Sequence, residues 1–113
     1  MLYTTIALFA LAAVMGLIVA VAIFNKKPET PKAAVYLHGA LGATGLVLLI
    51  LYMVDHPDHY PKISLILFLV GAVGGFYLFF NDTKKKPGPI TVVVIHALIA
   101  VTAFVLLLAF AFF

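Results

Sequence analysis

Residues 33–54 read AAVYLHGALGATGLVLLILYMV. Twenty-two positions pass without an Asp, Glu, Lys or Arg, and a helix rising about 1.5 Å per residue needs about 20 residues to cross a hydrocarbon layer of about 30 Å. The stretch is long enough to span a membrane. Three more runs behave in the same way, 1–24, 63–80 and 90–113, so that 88 of the 113 residues lie in four uncharged segments. The eleven charged side chains are confined to three windows, 25–32, 55–62 and 81–89. A chain that is 65% apolar and 10% charged is far from a soluble domain, which carries about 25% charge.

Helices are expected at about 2–24, 33–54, 62–80 and 89–113. Connections this short make consecutive helices antiparallel neighbours, so the predicted fold is an all-α membrane protein, an up-down-up-down four-transmembrane-helix bundle forming one domain over 1–113. The remaining 25 residues provide three turns and no room for a soluble catalytic module, a nucleotide-binding loop or a nucleic-acid platform. The net charge of +3 therefore does not point to nucleic acid. Cysteine is absent, which excludes disulfides, iron–sulfur clusters and zinc-thiolate sites. The first segment reads as a retained helix and not as a signal peptide, since it lacks a basic n-region and its apolar run exceeds the usual 7–15 or so residues.

Six of the seven lysines fall in two loops, Lys26, Lys27 and Lys32 in the first and Lys84, Lys85 and Lys86 in the third, against Lys62 alone in the middle one. The positive-inside rule puts the first and third loops in the cytoplasm, and both termini and Asp55-His56-Pro57-Asp58-His59 on the opposite side; a bacterial inner membrane is the expected setting. Tyr3, Tyr52 and Tyr60 then mark the outer boundary, Tyr36 and Tyr77 the inner one. Pro28, Pro31, Pro57, Pro61 and Pro87-Gly88-Pro89 mark the turns, with Pro61 and Pro89 expected in the first turn of the helix that follows.

The two halves repeat. From His38 the chain reads His-Gly-Ala-Leu-Gly-Ala-Thr-Gly-Leu-Val-Leu-Leu, and from His96 His-Ala-Leu-Ile-Ala-Val-Thr-Ala-Phe-Val-Leu-Leu. Small residues recur one, four and seven positions on (Gly39, Gly42, Gly45; Ala97, Ala100, Ala103), with Thr44 matching Thr102 and Val35 matching Val93. Phe24-Asn25 and Phe80-Asn81 are expected to close the first and third helices. The pattern is that of a helical hairpin used twice, over about 1–54 and 58–113, with both copies in one orientation about an axis along the membrane normal. His38 and His96 then share a depth roughly 8–9 Å inside the lysine-rich ends of their helices. Gly42, Gly45, Ala100 and Ala103 lie on the histidines' own face and leave it nearly flat.

Ionisable side chains inside membrane spans are rare and usually functional, and here the duplication supplies a pair. Two readings compete at this point. Small residues at helical spacing are also the ordinary means by which membrane helices approach closely, with each histidine then a neutral group bonded to a neighbouring helix. Gly71, Gly74 and Gly75 with Ala13, Gly16 and Ala20 read first as such packing surfaces, and otherwise as seats for a macrocycle edge or a second copy of the chain. Thr44 and Thr102 are expected to bond their own helix's carbonyl four residues back.

On His38, His96 and their small neighbours, the chain resembles the small membrane-embedded b-type cytochromes, four-helix bundles in which histidines from two helices supply both axial ligands of a haem. The resemblance implies one haem b per chain, with His38 and His96 on the iron and Gly42, Gly45, Ala100 and Ala103 lining the cleft. It also implies that each ligand's second ring nitrogen is oriented by an acceptor such as the carbonyl of Ala34 or Val92. With no arginine in the chain, the haem propionates would rely on Lys32, Lys84 to Lys86, Tyr36 or water. The implied work is one-electron exchange with a quinone or a redox protein, with a homodimer or a larger membrane complex as further partners. The alternative function is a cofactor-free accessory subunit of such a complex. A proton or solute carrier fits less well, because the spans hold no carboxylate relay and no broken helix. In the outer loop, Asp55, His56, Asp58 and His59 are of types that suit zinc or copper, but Pro57 disfavours their presentation on one helical face.

Overall fold

In a computed structural model describing residues 1–86 and 88–113, the chain forms four helices, α1 (Leu2–Phe24), α2 (Lys32–Asp55), α3 (Lys62–Thr83) and α4 (Ile90–Phe112). Pro87, one residue of the expected third turn, lies outside the described residues. All four helices are long and apolar enough to cross a membrane. Each helix touches its two neighbours around the bundle, whereas the diagonal pairs α1/α3 and α2/α4 make no close backbone approach. Packing is closest within the hairpins α1–α2 and α3–α4, and the two hairpins meet along thinner seams.

Three helices start in the same way. Pro31, Pro61 and Pro89 are the N-cap residues of α2, α3 and α4, one position before the expected first turn. Their carbonyls accept the first intrahelical bonds, from the N–H groups of Val35, Leu65 and Val93 at 2.9–3.1 Å. A proline without an N–H suits a position whose N–H has no helical partner.

α3 runs three residues past its expected end, so Phe80-Asn81 lies inside the helix and does not close it as Phe24-Asn25 closes α1. The polar last turn is satisfied locally. The Asn81 amide donates to the Tyr77 carbonyl (3.0 Å) and the Thr83 hydroxyl to that of Phe80 (2.7 Å). The true equivalents at the two helix ends are Lys26 and Lys85, both with positive φ (53° and 57°). Lys27 and Lys86 each donate a backbone N–H across six residues, to Ala22 and Asn81 at 3.0 Å, which closes both helices as Schellman motifs.

The two ends of the bundle are packed differently. Phe9, Leu49, Leu65 and Leu107 form the core, with Leu2, Ile6, Leu46, Ile50, Met53, Tyr60, Phe68 and Phe104 against it, all in the half that holds the termini and the middle loop. Phe9 and Phe68 stack across the α1/α3 diagonal with centroids 3.9 Å apart. In the lysine-rich half the buried apolar residues of the described helices are Ala12, Ala34, Gly71 and Val93.

Candidate functional site

The small-residue half of the bundle surrounds the two histidines. His38 lies six residues into α2 and His96 six residues into α4, hence about 9 Å from the start of each helix. Their rings meet across the α2/α4 diagonal with centroids 6.1 Å apart and planes at 81°. This crosses the axis as Phe9 and Phe68 do, on the other diagonal.

Each ring is fixed by the first helix of its own hairpin. His38 Nδ1 lies 2.7 Å from the Ala12 carbonyl of α1, and His96 Nδ1 lies 2.8 Å from the Gly71 carbonyl of α3. A carbonyl only accepts, so both Nδ1 atoms carry the proton and donate, and in the neutral ring Nε2 presents a lone pair. Neither Nε2 has a hydrogen-bond partner among the described residues. The expected acceptors, the carbonyls of Ala34 and Val92 in the histidines' own helices, are not used. Those carbonyls are engaged in their own helical ladder, and the rings point across to the neighbouring helix instead.

Glycine makes the acceptors reachable. In a helix the Cβ of residue i+4 leans toward the N-terminus and over the carbonyl of residue i. The residues four beyond Ala12 and Gly71 are Gly16 and Gly75. A Cβ at Gly16 would lie 2.8 Å from Cε1 of His38, and one at Gly75 would lie 3.2 Å from Cε1 of His96. These glycines are not featureless packing surface: their missing side chains are where the imidazoles sit. The expected use of Gly74 and Gly75 as helix-packing surface becomes specific accordingly, since a Cβ at Gly74 would also touch His96, at 3.6 Å.

No known protein family, curated protein or solved structure matches the chain.

The sequence contained a signal for the glycines. Ala13-Val14-Met15-Gly16 matches Ala72-Val73-Gly74-Gly75 at an offset of 59, which also carries Lys26-Lys27-Pro28 onto Lys85-Lys86-Pro87. Reading Phe24-Asn25 against Phe80-Asn81, at an offset of 56, hides that register. The remaining expected cleft residues divide. A Cβ on Gly42 meets nothing within 4 Å, so Gly42 flanks open space one turn beyond His38, whereas Ala100 is half-buried. Gly45 is closed by the Phe9 ring, which would lie 3.1 Å from an added Cβ. Ala103 is fully buried, and its carbonyl accepts the Ser64 hydroxyl at 2.7 Å. Gly45 and Ala103 thus belong to the packed core, because Phe9 and Ser64 reach them first. Thr44 and Thr102 bond the carbonyls of Ala40 and Leu98 at 2.8 Å, as expected.

At the lysine-rich end, Lys32 is committed to Asp82 of α3 (2.8 Å), which also accepts the Thr30 hydroxyl at 2.5 Å. This ion pair is the one present among the described residues. In the outer loop, His56 stacks on Tyr52 and His59 packs against Phe110. Among the described residues no three His, Asp or Glu side chains converge as a metal-holding group.

Proposed function

We propose that the chain is a membrane electron carrier that holds one haem b through His38 and His96. The observation that carries this reading is a pair of imidazoles at one depth, each with Nδ1 engaged by a backbone carbonyl and Nε2 free. That is the state an axial ligand requires, since the bond at the far nitrogen fixes both the tautomer and the ring orientation. The two rings come within 6.1 Å of each other, centroid to centroid, so His38 and His96 would be the residues to hold a metal-centred group here. Small residues in this half, with Gly42 beside open space, favour the approach of a flat apolar ring. The absence of cysteine favours a non-covalently held haem over one attached through thioethers.

Such a group, held by His38 and His96, would supply a one-electron couple. The chain's own part is to orient two ligands from helices whose backbones do not approach closely, to exclude water by means of the surrounding apolar spans, and to place the site near one membrane face. By lysine asymmetry that face is cytoplasmic, so the exchange partner is a quinone or a redox protein met on that side. Lys32 is already paired with Asp82, which leaves Lys84 and Lys86 as the cations for carboxylate substituents.

The test is the visible spectrum of the protein purified in mild detergent from haem-replete cells. A low-spin spectrum in both redox states is expected, with His38→Ala or His96→Ala either losing the haem or turning it high-spin. A colourless wild-type protein would discard this reading in favour of a cofactor-free accessory subunit.

A further inference from the structure

At the lysine-rich end of the seam between the hairpins, the start of α2 and the end of α3 enclose a cavity of about 200 Å³, lined by Lys32, Tyr36, Phe79, Asp82, Thr83 and Lys85. Tyr36 and Phe79 meet edge to face at 6.0 Å and form its apolar side. Its polar side holds two ammonium groups against one carboxylate. Asp82 is already balanced by Lys32 at 2.8 Å and by the Thr30 hydroxyl, so the Lys85 charge is left over, without a carboxylate partner among the described residues. Lys85 sits at φ 57°, where glycine is the usual helix-closing residue, so a long cationic side chain is kept at a position that disfavours any side chain. The cavity lies where the uncharged runs of α2 and α3 end.

We propose that this cavity binds the phosphate of an anionic phospholipid, with Lys85 as its principal cation and the glycerol and upper acyl chain resting on Tyr36 and Phe79. A phosphodiester carries a single negative charge, which matches the one unbalanced ammonium of the lining. Basic pockets between membrane helices on the cytoplasmic side are suited to such headgroups, and α2 and α3 pack only thinly against each other here. The site is separate from the histidine pair and does not depend on what that pair holds.

The test compares the intact protein in nanodiscs of phosphatidylcholine with and without phosphatidylglycerol, for wild type, Lys85→Gln and Lys26→Gln. Lys26 has the same left-handed backbone and the same charge but does not line the cavity, so it controls for general attraction to an anionic surface. Wild type and Lys26→Gln should melt higher with phosphatidylglycerol and retain one such lipid in native mass spectrometry. Lys85→Gln should lose the retained lipid and about half or more of the added thermal stability. Equal losses in the two variants would overturn the site, leaving only a diffuse surface potential. Equal stabilisation by inorganic phosphate in phosphatidylcholine discs would overturn the lipid as its source.

Discussion

A methyl group added at Gly16 would lie 2.8 Å from His38 Cε1, one at Gly75 would lie 3.2 Å from His96 Cε1, and one at Gly42 would touch nothing within 4 Å. Alanine in place of glycine gains about 1 kcal/mol of helix propensity, and overpacking costs about 1–3 kcal/mol, so the three sites should separate. Gly42→Ala is expected to be neutral or stabilising by up to about 1 kcal/mol, Gly75→Ala close to neutral, and Gly16→Ala destabilising by about 1–2 kcal/mol in detergent unfolding. Gly16→Ala should also disturb any spectrum that depends on His38, because the added methyl meets its ring. If all three behaved alike, the fit of rings into glycine gaps would be wrong. The histidines and their matched depth could be read from the sequence because an imidazole in an uncharged span is conspicuous. Their acceptors could not, because a backbone carbonyl has no sequence signature, and Gly16 gains its meaning only from the ring that faces it.

At the scale of the element, the spans were readable to within a residue or so for α1, α2 and α4, since charge is expelled sharply at the membrane boundary. The end of α3 was not, because Asn81, Asp82 and Thr83 look like a turn and instead find partners on their own helix or across the seam. Within the second hairpin, the Ser64 hydroxyl donates to the Ala103 carbonyl in a fully buried contact. Ser64→Ala should cost about 1 kcal/mol, the net worth of one hydrogen bond, and leave the histidine site unchanged. A loss of cofactor in that variant would instead couple the α3–α4 core to the site.

Over the whole molecule, two well-packed hairpins are joined by thinner seams, and the polar tie of Thr30 and Lys32 to Asp82 links the first loop and α2 with the end of α3. Asp82→Ala removes two charge-assisted contacts, and because Lys32 is half-exposed and keeps its hydration, the expected cost is about 1–3 kcal/mol. Thermal unfolding measures it, and an unchanged midpoint would show that the seam is held by the apolar core alone. Orientation is tested by introducing single cysteines, Glu29→Cys, Asp58→Cys and Lys84→Cys, into a chain that has none, with an impermeant thiol reagent on intact cells. Only Asp58→Cys should label. The sequence by itself determined the number of spans, the length of α1, α2 and α4 and the matched positions of His38 and His96, because hydropathy and local spacing are properties of consecutive residues. Only the tertiary structure decided that α2 and α4 are diagonal, that the rings are held by Ala12 and Gly71, and that Gly45 and Ala103 are closed while Gly42 is open. Those outcomes depend on which side chain of another helix, Phe9 or His38 or Ser64, first fills the space that a small residue leaves.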